Sequence, residues 1–191
     1  MKRWILAGAV LIALAGCGSD SSSAPTPSAS ASAAAADVAF AQSMIPHHEQ
    51  AVEMADLALS PSSQASAQVR ELATQIKVAQ DPQIALMSGW LQQWGAPSAM
   101  PMDHSNHDMG AVTMSGMMTA DQMAALTAVS GDDFDRMWIQ MMIEHHEGAV
   151  TMAEQVQQAS ADPQVTGLAG DIVDAQQQEI ATMQELLGQA L

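Results

Sequence analysis

The chain has 191 residues, and its 21 acidic and 5 basic side chains give a formal charge of −16 at pH 7. A surface this acidic repels nucleic acid and anionic lipid, and a single cysteine excludes a framework of intrachain disulfides. Tyrosine is absent and only 2 phenylalanines are present against 16 methionines, so methionine supplies an unusual share of the apolar side chains.

Residues 1–16 have the pattern of a secretory signal peptide, since two basic residues precede an apolar run that ends in Leu14-Ala15-Gly16-Cys17. The run is too short to span a membrane stably. Leu-Ala-Gly-Cys resembles a bacterial lipobox, which implies cleavage before Cys17 and lipid attachment to its thiol. The alternative is an ordinary signal peptide with an incidental cysteine. We predict an extracytoplasmic protein, lipid-anchored to a bacterial membrane, facing the periplasm or the cell surface.

Residues 17–36 are rich in Ser, Ala and Pro and predict a flexible tether behind the anchor. A first helix is predicted over 37–59, with Asp37 as its N-cap. Pro46 lies inside this helix and removes one backbone donor. We therefore expect a kink there, or a helix that begins near Ser43.

Three further long helices and one short helix are predicted from apolar periodicity and from the signals at their ends. Gly95-Ala96-Pro97 ends one helix, and Asp162-Pro163 begins another. The crossover between the two halves, 96–130, includes the short helix but mostly lacks a helical period. The predicted ranges are 65–94 and 119–129, followed by 132–159 and 163–189.

The sequence contains an internal repeat. Residues 44–55 match residues 142–153 at most positions, and both histidines and both methionines are among the matches. The helices that follow also match each other: Gln80, Ile84, Met87 and Leu91 correspond to Gln176, Ile180, Met183 and Leu187. The sequence therefore predicts an all-α domain over 37–191, a four-helix bundle made of two repeated helix hairpins, 37–95 and 131–189, with approximate two-fold symmetry.

The doubled Met-Ile-x-His-His-Glu-x-Ala-x-x-Met-Ala, each copy followed by Gln-x-x-x-Ile-x-x-Met-x-x-x-Leu, resembles the family called domain of unknown function 305 (DUF305) over residues 37–189. The resemblance implies a ferritin-like four-helix bundle in secreted bacterial proteins, some of which are linked to copper binding and copper tolerance. It carries over no catalytic residue. The repeat is broken at one interior position, where Gln83 in the first half corresponds to Glu179 in the second.

A helical projection of each repeat places imidazole and thioether groups on the core-facing stripe and turns the carboxylates to solvent. Imidazole suits several transition metals, and soft thioether sulfur selects Cu(I). The predicted bundle site comprises His47, His48, His145, His146, Met44, Met54, Met142 and Met152, with Gln80, Gln176 and Glu179 behind the ligands. The alternative is structural: the methionines fill the core, and the histidines form hydrogen bonds with the glutamine and glutamate side chains.

The crossover has a second concentration of possible ligands. Methionine in a polar segment without helical period is not explained by packing, so we predict copper ligands here, for Cu(I) rather than Cu(II). The alternatives are an apolar lid, or methionines that absorb oxidant. The residues are Met100, Met102, His104, His107, Met109, Met114, Met117 and Met118.

Iron oxidation is not expected, because di-iron bundles use inward glutamates and Glu-x-x-His, whereas Met44 and Met142 occupy the acid positions before His47 and His145. We therefore predict a copper-binding protein that is not an enzyme and that sequesters copper, confers tolerance or passes copper to a transfer protein. The rival is a structural or interaction module whose Met-rich loop binds a partner protein. A copper-dependent oxidase is a more distant alternative.

Overall fold

The computed structural model describes residues 29–98 and 115–189, and every regular element within those ranges is helical. The elements are α1 Ala29–Leu59, a 3-10 turn Pro61–Ser63, α2 Ala67–Trp94, α3 Ala120–Thr127, α4 Asp132–Ala159 and α5 Pro163–Gln189. Helix α1 packs against α2, α4 packs against α5, and the two hairpins meet where α1 contacts α4. The predicted bundle of two helix hairpins is confirmed.

Local capping explains why most helix ends agree with the prediction. The Ser66 hydroxyl accepts from the Val69 amide at the start of α2, and Gly95, with φ 66°, ends that helix in the left-handed conformation. Thr119 and Gln122 form a capping box at α3. The Asp162 carboxylate accepts from the Gln164 amide at the start of α5. Each signal lies within a few residues of the end that it fixes, so sequence alone locates it.

The start of α1 differs from the prediction. The helix begins at Ala29, so the predicted tether boundary at residue 36 and the N-cap role of Asp37 are wrong. The run of alanines before Asp37 continues the helix, since alanine has the highest helix propensity. The helix also runs through Pro46, so a start near Ser43 is wrong, while the kink stays a prediction. The signal peptide, Cys17 and the tether up to residue 28 lie outside the described residues.

The core consists of two apolar clusters separated by a polar layer. Along α1, Phe40 and Met44 belong to one cluster and Ala51 and Met54 to the other, with His47 between them. Along α4 the order is reversed: the cluster of Ala51 and Met54 comes before His145, and the cluster of Phe40 and Met44 comes after it. The buried Gln80 and Gln176 divide α2 and α5 in the same way. The two repeats are therefore antiparallel, and the histidines of both meet at the middle of the bundle.

The charged residues follow the predicted helical projection, because Glu49, Glu53, Asp56, Glu144 and Glu147 are exposed. In the part of the chain that the structure describes, none of the helices combines the length and hydropathy of a membrane span.

Candidate metal centre

Four histidines form a buried layer at the centre of the bundle. His47, His48 and His146 have no exposed surface, and His145 has 1%. The rings of His47 and His145 face each other across the approximate two-fold axis, with centroids 3.8 Å apart and planes inclined by 40°. The centroids of His145 and His146 are 6.4 Å apart. The duplicated His-His pairs thus meet, as the repeat predicted.

Three of these rings are held by acceptors at Nε2. His48 Nε2 donates to Gln83 Oε1 at 2.8 Å, and His146 Nε2 donates at the same distance to Glu179 Oε2. His47 Nε2 donates to the backbone carbonyl of Ser115 at 3.1 Å. Because a neutral imidazole has one N–H and one lone pair, each of these bonds leaves the lone pair on Nδ1.

The opposite side of each ring is unsatisfied. Among residues 29–98 and 115–189, Nδ1 of His47, His48 and His146 has no hydrogen-bond partner, and neither has either ring nitrogen of His145. Among the same residues, the side-chain oxygens of Gln80 and Gln176 also have no hydrogen-bond partner. A buried polar atom without a partner costs about 1–3 kcal/mol. The layer therefore concentrates lone pairs that a bound cation would satisfy.

Burial keeps three of these imidazoles neutral, those of His47, His48 and His145. Burial, followed by the charge of His48, lowers the pKa of His47 to about 3, although the bond to Ser115 opposes the change. Burial lowers the pKa of His48 to about 4, against the effect of the Gln83 bond. The pKa of His145 is well below its ordinary value because of burial and then of His47, with a smaller opposing effect of the His47 backbone. These lone pairs are available at neutral pH.

Methionines flank the layer in two sets related by the repeat. Met54, Met142 and Met183 pack in the cluster on one side, and Met44, Met87 and Met152 pack on the other. All are fully buried except Met152, which is partly buried. Their thioethers are soft donors, and the same side chains fill the core. The structure places the predicted bundle residues in or beside the layer. The position of the methionines fits both a role as metal ligands and a role in packing the core.

The layer offers a mixed donor set. Among the described residues, no three His, Cys, Asp or Glu side chains converge closely enough to hold a metal ion as they stand. A metal bound here would combine one or two imidazoles with thioether sulfur. Imidazole nitrogen suits several transition metals, and thioether sulfur is a soft donor.

Two contacts of the layer were not in the predicted site. Gln83 could have been placed from the repeat, since it corresponds to Glu179. Ser115 acts through its backbone carbonyl from a segment without periodicity, so no sequence signal indicates it. Gln80 and Gln176 lie buried in the layer, as predicted. Within the described ranges, neither forms a hydrogen bond with a histidine.

The crossover is described only at its C-terminal end. Met118 is 5% exposed and packs in the cluster of Met54 and Met142, and Met117 is partly buried. Met118 is therefore a core side chain in this structure. The other predicted crossover ligands lie outside the described residues: Met100, Met102, His104, His107, Met109 and Met114.

The domain of unknown function DUF305 matches residues 37–187. The chain belongs to the DUF305 family. A DUF305 protein of Streptomyces coelicolor, described as secreted, has a crystal structure 34% identical to this chain, with TM-score 0.72, over 81% of this chain and 93% of that one. A DUF305 fragment from Deinococcus radiodurans is 34% identical, with TM-score 0.70, over 81% and 96%.

The DUF305 chain is also similar to CopM. The Cu(II)-bound form of CopM is 32% identical, with TM-score 0.64, over 81% of this chain and 97% of that one. The Cu(I)-bound form is 30% identical, with TM-score 0.63, over 80% and 96%. CopM has also been solved in apo and silver-bound forms. None of the curated proteins matches the chain.

Proposed function

We propose that this DUF305 protein is an extracytoplasmic copper-binding protein, anchored by lipid at Cys17, that sequesters copper or passes it to a transfer protein. The observation that carries the proposal is the similarity to CopM, which binds both copper and silver ions in a bundle alignable over most of this chain. The chemistry of the described site supports it, since the buried imidazoles lie between two clusters that contain methionine.

The donor chemistry favours Cu(I) over Cu(II). Six buried or partly buried methionines flank the imidazole layer, and thioether sulfur selects the softer ion. A His and Met site also suits an oxidising compartment, where cysteine ligands would be lost to disulfides. The predicted signal sequence and the secreted relative of Streptomyces coelicolor support that location.

Binding without catalysis is the simpler use of this site. The interior has one inward carboxylate, Glu179, within the described layer, and it is bonded to His146. Two regions would share the copper: the crossover captures the ion through its Met and His residues, and the imidazole layer retains it. Sequestration and transfer both need capture and release, which soft donors allow.

The test is an anaerobic Cu(I) titration against a competing chelator. The full-length chain is used with Cys17→Ser throughout, so that the thiol adds no soft ligand. The bundle variant is His47→Gln with His145→Gln. The crossover variant replaces Met100, Met102, Met109 and Met114 by Leu, and His104 and His107 by Gln. We expect each to bind fewer equivalents than the parent, and the combined variant to bind none tightly.

Met137→Leu serves as the matched control, because Met137 is a partly buried methionine outside both predicted sets. It should bind as the parent does. The crossover substitutions stop at residue 114, since Met118 packs in the core and its loss would confuse folding with binding. A combined variant that still takes up the full number of equivalents would refute the proposal.

The structural rival rests on a specific observation, the hydrogen bonds of His48 to Gln83 and of His146 to Glu179. If the layer only fixes helix register, the bundle variant will lose stability and keep its copper uptake. If the crossover binds a protein, its variant will lose that partner and keep its affinity for Cu(I).

A further inference from the structure

Residues 115–118, here called the strap, lie over the imidazole layer. Ser115 is an exposed residue, and its backbone carbonyl accepts a hydrogen bond from Nε2 of His47 at 3.1 Å. His47 itself has no exposed surface. Ser115 therefore belongs to the surface and also supplies the hydrogen-bond acceptor for this buried imidazole.

The strap can approach α4 this closely only because of two glycines. A Cβ on Gly148 would lie 2.0 Å from the Ser115 carbonyl oxygen and 2.8 Å from the Gly116 Cα. Gly116 has φ 80°, and its own Cβ would lie 2.6 Å from the Glu144 carbonyl oxygen. Both contacts are between backbones, which cannot move aside as a flexible side chain could. Glycine is needed where backbones meet in this way.

Gln50 holds the other end of the strap. Its Nε2 donates to the Met118 carbonyl at 2.9 Å, and its Oε1 accepts from the Met118 amide at 2.7 Å. Gln50 and Gly148 occupy the same position in the two repeats, two residues after the His-His pair. In the first repeat this position binds the strap through the Gln50 side chain. In the second repeat the same position is Gly148, whose lack of a side chain lets the strap approach α4.

We propose that Gly148 and Gln50 are positioning residues for His47. They seat the strap so that the Ser115 carbonyl keeps the proton on Nε2 and directs the Nδ1 lone pair into the layer. A hydrogen bond at one ring nitrogen sets the tautomer and the direction of the other. The use of Nδ1 as a copper ligand rests on the proposed function, whereas the positioning is a property of the metal-free chain.

The test uses the full-length, metal-free protein labelled with ¹⁵N at its histidines, at pH 7. Nitrogen shifts report the tautomer of His47, assigned by comparison with His47→Gln, and amide hydrogen exchange reports the Met118 N–H. In Gly148→Ala we expect His47 to change from one tautomer to a mixture. We also expect Met118 to exchange at least about tenfold faster, as the loss of its hydrogen bonds implies.

Gly89→Ala is the matched control, since Gly89 lies in a helix and nothing is within 4 Å of its added Cβ. It should change neither signal. Gln50→Ala is the milder variant, because it removes two hydrogen bonds and leaves the close backbone contact intact. It should shift both signals in the same direction as Gly148→Ala, and it decides the question if Gly148→Ala does not fold.

Retention of one His47 tautomer in folded Gln50→Ala, with Met118 exchange unchanged, would overturn the proposal. An equal response of the Gly89→Ala control would also overturn it. A purely structural role for the strap would speed exchange but leave the His47 tautomer unchanged, and this too counts against the inference. Failure of the wild type to bind copper, together with the expected tautomer change, would refute the proposed function and leave the positioning inference standing.

Discussion

The two repeats place equivalent histidines in one layer but surround them differently. In the first repeat, Gln83 accepts from His48, and in the second the charged Glu179 accepts from His146 at the same distance. The first repeat holds the strap with Gln50, and the second makes room for it with Gly148. Duplication thus gives a symmetric set of inner donors, while residues that support them differ between the two repeats.

The largest difference expected between the repeats concerns the flanking methionines. Met54 is fully buried, whereas its equivalent Met152 is partly exposed in a groove beside Phe40. Met54→Ala should lower the free energy of unfolding by about 2–5 kcal/mol, and Met152→Ala by clearly less. Urea denaturation measures both.

Leucine at either position is the control, since this nearly isosteric exchange costs under about 1.5 kcal/mol. An equal loss for both alanine variants would mean that the repeats pack alike at this level, contrary to the difference in burial.

Acid should destabilise the fold through the imidazole layer. The unfolded chain protonates its histidines near pH 6.5, whereas the folded chain keeps His48 neutral down to about pH 4 and His47 down to about pH 3. The unfolded state therefore binds more protons in this window. Stability is complete above pH 6.5 and falls as the pH drops below it, by up to about 1.4 kcal/mol per unit for each histidine.

Urea midpoints between pH 7 and pH 5 test this slope in a range above the ordinary carboxylate pKa values. His47→Gln in the first repeat and His145→Gln in the second should each flatten it. A slope unaltered by either substitution would show that the layer is not its source.

The hydrogen-bond acceptors of His48 and His146 provide the next comparison. Gln83→Ala and Glu179→Ala should each cost about 1–3 kcal/mol, because a buried N–H loses its partner. Glu179→Gln copies the first repeat and should retain most of that stability. Thermal or urea unfolding measures the three variants. Should Glu179→Gln be as damaging as Glu179→Ala, the negative charge, and not the acceptor, is what the second repeat requires.

The smallest effect is expected for an ion pair present in the first repeat. Lys77 Nζ lies 2.7 Å from Asp56 Oδ1 on the surface between α1 and α2, and the bond raises the pKa of Lys77. The second repeat has Val173 in the equivalent position. Lys77→Ala should change the unfolding free energy by under about 1 kcal/mol, less still in high salt. A larger, salt-independent loss would point to packing by the lysine stem.

Local signals and the repeat account for what the sequence could predict. The signals at Gly95 and Asp162 predict helix ends, and the helical period places His47 and His145 inside. The internal repeat predicts equivalent helices, and their histidines meet in the structure. The start of α1 was missed because an alanine-rich run suits both a tether and a helix. The Ser115 contact was missed because a backbone carbonyl carries no residue signature.

The most direct measurement is X-ray absorption at the copper edge of the Cys17→Ser chain with the crossover ligands replaced, loaded anaerobically with one equivalent of Cu(I). A copper ion held in the imidazole layer would show both imidazole nitrogen and thioether sulfur around it. Introducing His47→Gln and His145→Gln should lower the nitrogen contribution, since only His48 and His146 then remain in the layer. Identical spectra before and after these two substitutions would show that His47 and His145 do not bind the metal.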